Sequence, residues 1–260
     1  MACSKYEYVK HFENASTLLK NTFLVVRIDG HSFHRFTKIH NYRKPNDPRG
    51  INLMNACAIE VMKEFNDIIL AYGQSDEYSF VFPRETALYG RREAKIETNL
   101  VSLFTSAFVF KWKDYFEDTE LQSLPSFDAR CVLYPTAKNL RDYLSWRQAD
   151  CHINNLYNTA FWELVQNPSS LKTEQEAESI LKLTDSGGKN ELLFQFGINY
   201  NKLDPMYRKG TTISRESVLV EETSKNTGEI VKRKRKILTP LYVDIIGEEF
   251  WKERPHLIKE

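Results

Sequence analysis

The order in which strand-like and helix-like segments follow one another constrains the fold of this chain more than any other feature. Runs rich in β-branched and aromatic residues predict strands, and apolar residues that recur every three to four positions predict amphipathic helices. The first half contains predicted strands at residues 23–28, 67–72, 78–82 and 127–134, a predicted helix after Asp47, and another at 91–113. This β-α-β-β-α-β order predicts an α+β fold with a ferredoxin-like sheet, in which the first and third strands are neighbours.

A long helix is predicted at residues 140–165, in the second half of the chain. Its apolar stripe consists of Ile153, Leu156, Tyr157, Ala160, Phe161 and Leu164. The opposite face carries His152, Asn155 and Thr159. A merely solvated face more often uses Glu and Lys, whereas amides with a histidine suit contacts to nucleobase edges or phosphates.

The remainder of the second half predicts shorter elements. A polar helix is predicted at 174–183, a break at Gly187-Gly188, and a β-hairpin that joins 211–221 to 229–238 through 223–228. We therefore expect a first domain at residues 1–137 and a helical and β-hairpin extension at residues 138–260.

Composition and charge exclude several classes of protein. Hydrophobic residues make up 42% of the 260 residues and charged residues 27%, which excludes a wholly disordered chain. The net charge is +1, so any attraction for nucleic acid has to come from local clusters of charge. The four cysteines form no CxxC pair, and we interpret them as reduced thiols. We find no apolar signal core at the start and no stretch long enough to span a bilayer, so we expect an intracellular soluble protein.

Two carboxylates are expected to meet at the edge of the predicted sheet. Asp29 ends the first strand, and Asp76 lies in the hairpin before the third strand, which the topology places beside the first. Two ionised carboxylates about 4 Å apart repel each other by about 4 kcal/mol unless a cation lies between them, and oxygen ligands favour Mg²⁺. Singly, each motif is also typical of an ordinary turn. Strand alternation sends Glu77 to the face opposite Asp76, where it has the option of pairing with a basic residue.

Phosphate groups and basic side chains are expected next to this pair. Gly30 and the helix start after it offer main-chain N–H groups to a phosphate. Zinc bound by His31, His34 and His40 is disfavoured because no cysteine accompanies them at ligand spacing. Further cations flank nearby helix starts and turns, either for a triphosphate or as a solvated face: Lys44, Arg49, Arg91, Arg92 and Lys95.

Five consecutive cations occupy residues 232–236, within the second strand of the predicted hairpin. A strand places alternate side chains on opposite faces, so at least one face of this run meets solvent or a polyanion. Contact with an RNA backbone, a nuclear-localisation signal and a plain charged edge strand all stay open.

Five motifs in order resemble those of the eukaryotic tRNA-histidine guanylyltransferases. They are Arg27-Ile-Asp-Gly-His-Ser-Phe-His34, Lys44-Pro-Asn-Asp47, Tyr72-Gly-Gln-Ser-Asp-Glu-Tyr-Ser-Phe80, Asp142-Tyr-Leu-Ser-Trp-Arg-Gln-Ala-Asp-Cys-His-Ile-Asn-Asn-Leu-Tyr-Asn158 and Pro205-Met-Tyr-Arg-Lys-Gly210. The likeness runs from near residue 5 to residue 251 and so covers almost the whole chain.

The resemblance implies a palm domain like that of polymerases and nucleotidyl cyclases, and addition of one guanylate to the 5′ end of tRNA-His. ATP first adenylylates the tRNA 5′-phosphate, the 3′-hydroxyl of GTP then attacks, and removal of pyrophosphate completes the cycle. It further implies two Mg²⁺ ions held by Asp29, Asp76 and the carbonyl of Gly30, a homotetramer, and an extension that binds tRNA and other subunits. The cytoplasm is the default compartment, and the basic run leaves the nucleus open.

Site residues follow from the resemblance and from the charge pattern. The residues expected to bind nucleotide are Asp29, Gly30, His31, Ser32, Phe33, His34, Lys44, Ser75, Asp76, Arg92 and Lys95. The residues expected to contact tRNA are Arg27, His152, Asn155, Lys209, Lys232 and Arg233. Lys189 lies in another family-like stretch and has no assigned role. The alternatives are a different palm nucleotidyltransferase or cyclase and a non-catalytic tRNA-binding protein.

Overall fold

One antiparallel sheet of six strands organises the molecule, in a computed structural model that describes residues 4–13, 16–223 and 230–259. The strands are β1 (Phe23–Gly30), β2 (Leu70–Gln74), β3 (Glu77–Phe82), β4 (Phe127–Tyr134), β5 (Thr211–Thr223) and β6 (Ile230–Leu241). Their order across the sheet is β4-β1-β3-β2-β5-β6. The predicted pairing of the first and third strands is confirmed, and the C-terminal hairpin extends the same sheet through β2.

Helices cover both faces of the sheet. They are α1 (Phe33–Ile39), α2 (Pro48–Glu64), α3 (Glu93–Phe110), α4 (Trp112–Tyr115), α5 (Ala137–Gln166), α6 (Glu174–Lys182), α7 (Ser186–Gln195), α8 (Pro205–Lys209) and α9 (Glu249–Glu253). Helix α2 begins as its sequence indicates, because the Asp47 side chain accepts a hydrogen bond from the Arg49 main chain and Pro48 occupies the first turn. None of the helices in the described part of the chain is both long and apolar enough to cross a membrane.

Alternation along β1 divides the apolar side chains of this strand between two core clusters. Leu24, Val26 and Ile28 belong to a large core with α2 and α3 on one face. Phe23 and Val25 belong to a second core on the other face, formed with the N-terminal half of α5 and the segment after β6. The face that carries α5 also carries the polar end of β1, so the N-terminal half of α5 places Tyr143 and Arg147 above the edge where Asp29 lies.

The C-terminal half of α5 packs against α6 and α7 and corrects the predicted stripe. Ile153 is 56% exposed, whereas Asn155 and Thr159 are buried. The amide of Asn155 donates to the Asn46 side chain at 2.8 Å and accepts from the Tyr200 hydroxyl at 3.1 Å. The polar face is therefore a buried packing interface, because segments distant in sequence supply the hydrogen bonds that make its burial tolerable.

Three other predictions are corrected. The turn between β2 and β3 has only two residues, Ser75 and Asp76, because Gly73 and Gln74 still belong to the strand. Gly187 and Gly188 lie in the first turn of α7, where the Asp185 side chain caps the helix, and do not break it. In the β5–β6 hairpin, residue 223 ends β5, and the rest of the predicted connection, 224–228, lies outside the described residues.

The prediction that Arg91 contacts a triphosphate or lies on a solvated face is wrong. Its side chain is buried and donates to the main-chain oxygens of Leu18, Thr86 and Thr22 and to the Thr22 hydroxyl. A guanidinium that ties three loop carbonyls together has a structural role, and Arg91 is not free to contact a phosphate.

Candidate nucleotide and metal site

The register of β1 and β3 places acidic and basic side chains side by side on the α5 face of the sheet. Asp29 lies opposite Glu77, and Arg27 lies opposite Ser79. Because residues two apart on a strand share a face, Arg27 and Asp29 on β1 meet Glu77 and Ser79 on β3. The Tyr143 hydroxyl, from α5, is 2.6 Å from the hydroxyl of Ser79.

Asp76 reaches the same edge from the two-residue turn. The Gly30 main-chain N–H donates to the Asp76 carbonyl at 3.1 Å, which pins the turn to the end of β1. The His31 main-chain N–H donates to the Ser126 carbonyl at 2.8 Å, so the prediction that these two N–H groups bind a phosphate is wrong. A methyl group on Gly30 would overlap the ring of Phe33 and stand 2.9 Å from Asp76 Oδ2. The Asp76 carboxylate therefore lies directly against the main chain of Gly30, and a larger residue at position 30 would displace it.

Two carboxyl groups at this edge, Asp29 and Asp76, have raised pKa values, and burial is the largest cause of each shift. Burial raises the pKa of Asp76 above its ordinary value, and the charges of Asp29 and Glu77 raise it further. Burial also raises the pKa of Asp29, although the Arg27 guanidinium opposes this shift. The structure thus brings together the two carboxylates that the sequence selects, and ionising both is costly unless a cation joins them.

Arg27 and Arg147 neutralise part of this charge. Arg27 Nη2 lies 2.7 Å from Asp29 Oδ2 and 2.5 Å from Glu77 Oε2. Arg147 Nη1, from α5, lies 3.1 Å from Glu77 Oε2 and 3.2 Å from its Oε1. The interpretation that Glu77 pairs with a basic residue is confirmed, and it pairs with two.

A cavity of about 790 Å³ opens beside the carboxylates. One wall is the loop of residues 42–47, a second is the β2–β3 turn, and a third is α5 with the segment around α8. Its basic lining residues are Arg27, Arg43, Lys44 and Arg147, and its aromatic ones include Tyr42, Tyr157, Phe161 and Trp162. A volume of this size admits a nucleoside triphosphate, and the lining combines cations for phosphates with aromatic faces for a base.

The nucleotide-binding prediction divides into two groups. The first group lines the cavity and contains Phe33, His34, Lys44, Ser75 and Asp76. The second group lies outside the described lining and contains Asp29, Gly30, His31, Ser32, Arg92 and Lys95. In the second group, Asp29 and Gly30 lie next to the cavity, because Asp29 contacts the lining residue Arg27 and Gly30 lies against the lining residue Asp76. Arg92 is exposed and donates to the Tyr89 carbonyl, and the Lys95 ammonium group lies over the Tyr89 ring.

Phe33 contributes to the core more than to the cavity. Its ring stacks on Phe36 at 4.9 Å between centroids and packs against Phe108 and Phe127. Because the side chain is only 6% exposed, Phe33 supports the end of β1 from below and leaves little ring surface for a base.

The tRNA-binding prediction is also divided. Arg27 and Asn155 line the cavity, and both are already held by other protein groups. His152 is exposed, stands edge-on to Tyr200, and has a lowered pKa because of partial burial and the nearby Arg208 charge. The ammonium group of Lys209 lies 3.9 Å from Asp244.

The basic run extends along the outer strand β6. All five side chains from Lys232 to Lys236 are exposed, and they pair in register with residues 217–221 of β5. Lys232 lies 3.4 Å from Glu221 across the hairpin. The run thus presents cations on both faces of a two-stranded ribbon, as its sequence indicates.

Three residues of the site have no role predicted from the sequence: Arg147, Gln74 and Asp150. Gln74 Nε2 donates to both Glu77 and Asp150, and Arg147 lies 3.6 Å from Asp150. A signal was present, because Arg147 continues the buried series Leu140, Leu144 and Cys151 at helical spacing. A charge at such a position indicates a buried ion pair.

The site can hold a hard cation through oxygen atoms. In residues 4–13, 16–223 and 230–259, no group of three or more His, Cys, Asp or Glu side chains is gathered for a metal ion. Two carboxylates and a neighbouring main-chain carbonyl fit Mg²⁺ nevertheless, because this ion usually binds one or two carboxylates and completes its shell with water and substrate phosphates.

Comparisons with known proteins agree over the whole chain. The family model described as tRNAHis guanylyltransferase matches residues 6–135, and the model of the Thg1 C terminal domain matches residues 138–247. A probable tRNA(His) guanylyltransferase of Dictyostelium discoideum is 56% identical, with 99% of each chain covered. The tRNA(His) guanylyltransferase of Schizosaccharomyces pombe is 54% identical, over 99% of this chain and 98% of the relative.

Solved structures show the same fold. The crystal structure of the Saccharomyces cerevisiae tRNA(His) guanylyltransferase has a TM-score of 0.77 and 46% identity, and covers 81% of this chain and 93% of its own. A bacterial Thg1-like protein in complex with ATP has a TM-score of 0.76 at 21% identity, and covers 99% and 100% of the two chains.

Proposed function

The chain belongs to the tRNAHis guanylyltransferase family, a family of nucleotidyltransferases, and from this premise we propose that it adds a single guanylate to the 5′ end of tRNA-His. The observation that carries the proposal is the convergence of Asp29 and Asp76 beside a cavity with basic and aromatic walls. Phosphoryl transfer requires positioning and charge neutralisation more than a protein nucleophile, and this arrangement supplies both.

The reaction is proposed to run in three steps. The 5′-phosphate of tRNA attacks the α-phosphorus of ATP, which forms an adenylylated end and releases pyrophosphate. The 3′-hydroxyl of GTP then attacks the activated 5′-phosphorus and AMP leaves with the electrons of the broken P–O bond. Hydrolysis of the new terminal triphosphate releases a second pyrophosphate. Binding of ATP and GTP by bacterial Thg1-like proteins of the same fold supports the choice of nucleotides.

Two Mg²⁺ ions are proposed to bind Asp29, Asp76 and the Gly30 carbonyl. When bound, such ions activate the attacking oxygen and stabilise the leaving one. The chain's own groups have complementary roles. Lys44, with a pKa lowered by burial, and His34 line the cavity where phosphates would lie, and Gly30 gives the close approach to Asp76.

Domain roles and assembly are proposed in the same terms. Residues 1–137 form a palm-like catalytic domain, a proposal supported by the strand order β4-β1-β3-β2. Residues 138–260 bind tRNA and other subunits of a homotetramer, and the protein acts in the cytoplasm, with the nucleus also open to it. The described extension shares the sheet through β5, so the two regions are coupled structurally.

The product formed from labelled GTP tests the function. Incubation with tRNA-His, ATP, Mg²⁺ and GTP labelled at the α-phosphate is expected to place label at the 5′ end of tRNA-His, and not of other tRNAs. A cyclase would convert the nucleotide without RNA, and a non-catalytic tRNA-binding protein would leave the nucleotide unchanged. Conversion of the nucleotide without RNA, or no conversion at all, would contradict the proposed function.

The basic run is expected to contribute to tRNA affinity through the phosphate backbone. A variant with Lys232→Gln, Arg233→Gln and Lys234→Gln is expected to bind tRNA more weakly, and the slope of log affinity against log salt should fall by about 0.9 for each lost phosphate contact. Binding titrations at several salt concentrations measure both quantities.

A matched variant removes three exposed lysines elsewhere, Lys63, Lys113 and Lys182, which are all paired with glutamates. Its net charge equals that of the first variant. If the two variants show equal slopes, the basic run has no specific part in tRNA binding.

A further inference from the structure

Glu77 lies at the centre of a buried ion-pair network that the proposed reaction leaves without a role. Its carboxylate is 9% exposed and receives Arg27 at 2.5 Å, Arg147 at 3.1 and 3.2 Å, and Gln74 at 3.1 Å. Both carboxylate oxygens are therefore occupied by protein donors. A carboxylate engaged in this way is poorly placed to take a metal ion or a proton from a substrate, so its function must act through its partners.

One nitrogen atom joins Glu77 to Asp29. Arg27 Nη2 is the atom that contacts both Glu77 Oε2 and Asp29 Oδ2. A cation that binds Asp29 needs the same carboxylate oxygens, so Arg27 competes with it. Because Glu77 lies directly across from Asp29 on β3, it offers this guanidinium an alternative partner that requires little movement.

Arg147 fixes Glu77 from the other side. Its side chain is 4% exposed, and it comes from α5, which is held to the sheet one turn earlier by the contact between Tyr143 and Ser79. The guanidinium also lies 3.5 Å from the centroid of the Trp146 ring. Arg147 thus keeps the Glu77 carboxylate in one position, and the sharing of Arg27 depends on that position.

From these contacts we propose that Glu77 is a positioning residue: anchored by Arg147, it retains the Arg27 guanidinium when a divalent cation takes Asp29. Without Glu77, Asp29 is the one carboxylate among the described residues that Arg27 still contacts, and the guanidinium then competes more strongly with the cation for Asp29. This inference rests on the proposed function, because it assumes that Asp29 and Asp76 bind divalent cations.

A double-mutant cycle with Mn²⁺ as the probe tests the proposal in the full-length protein, without nucleotide or tRNA. Free Mn²⁺ is measured by electron paramagnetic resonance for wild type, Glu77→Gln, Arg27→Gln and the double variant. Glu77→Gln is expected to weaken Mn²⁺ binding about tenfold, the usual size of coupling within one ion-pair network. The same substitution on the Arg27→Gln background is expected to change it less than about twofold, because the competing guanidinium is gone.

A simple loss of negative charge predicts a different result. Glu77→Gln would then weaken Mn²⁺ binding equally in both backgrounds, and this additivity would overturn the proposal, as would no effect in either. Glu216→Gln is the matched control, since it removes a partly buried glutamate paired with Arg254 away from the site, and its Mn²⁺ binding should equal that of wild type.

The proposal stays testable if Glu77→Gln fails to fold. Arg27→Gln alone is expected to tighten Mn²⁺ binding more than Arg130→Gln, which removes a guanidinium that influences Asp29 but is bound to Asp128. Equal effects of the two arginine variants would overturn it. Failure of the underlying metal assignment is distinguishable, because wild type and Asp29→Asn would then bind Mn²⁺ alike.

Discussion

An Asp76→Asn variant is expected to lose guanylate addition by about a thousandfold or more while its thermal stability stays equal to or rises above that of wild type. Burial and the charges of Asp29 and Glu77 raise the pKa of Asp76, so its ionised form is less favourable in the folded than in the unfolded chain. Removing that charge removes an unfavourable electrostatic free energy from the folded state. It also removes a proposed metal ligand.

Single-turnover transfer of label from GTP to tRNA-His, together with thermal unfolding at pH 8, measures the two effects. The stability gain should disappear under acidic conditions, because a carboxyl group whose pKa is higher in the folded than in the unfolded protein lowers the free energy of unfolding only at pH values where it is ionised. Asp29→Asn should lose activity to a similar degree.

Asp128→Asn is the matched control for both variants. Asp128 lies opposite Asp29 on β4, and its side chain is exposed and paired with Arg130 at 2.9 Å. This variant removes the same charge from the neighbouring strand and is expected to retain activity within about threefold, since surface ion pairs contribute little. Wild-type rates in Asp76→Asn would remove the carboxylate from the mechanism.

A Gly30→Ala variant is expected to lose activity by about a hundredfold, because the added methyl group would occupy space now taken by the Phe33 ring and the Asp76 carboxylate. It would overlap the Phe33 ring, which is confined by Phe36 and Phe127, and stand 2.9 Å from the Asp76 carboxylate. The aromatic cluster cannot yield easily in a close-packed core, so the carboxylate and the β2–β3 turn must move.

Gly187→Ala provides the comparison for this prediction. The nearest atom to a methyl group on Gly187 is Asp185 Oδ1 at 3.5 Å, an ordinary contact, and Gly187 lies in a helix. The substitution should leave activity unchanged and stabilise the protein slightly. Steady-state rates and unfolding midpoints of both alanine variants test the pair, and a fully active Gly30→Ala protein would show that the close approach to Asp76 is unimportant.

Local patterns were sufficient to predict the element order and the site of convergence. The strand pairing of β1 with β3 follows from the β-α-β-β-α-β order, and the start of α2 follows from Asp47 and Pro48. These features depend on residues that are close in sequence or on a topology with few alternatives.

The ion-pair network and the buried packing interface around Asn155 depend on long-range packing. Arg147 reaches Glu77 across 70 positions, and Asn155 is buried only because Asn46 and Tyr200 supply partners from distant segments. Periodicity gives the faces of α5 but not what covers each face, so it placed Ile153 inside and Asn155 outside. The Gly187-Gly188 pair was misread because the Asp185 cap outweighs the low helix propensity of glycine.

The location of bound metal tests the central claim most directly. Crystals grown with Mn²⁺ and GTP, measured at the manganese absorption edge, are expected to show anomalous peaks within about 2.3 Å of carboxylate oxygens of Asp29 and Asp76 and beside the nucleotide phosphates. A nucleotide-occupied cavity with no anomalous peak between these two side chains would contradict the account.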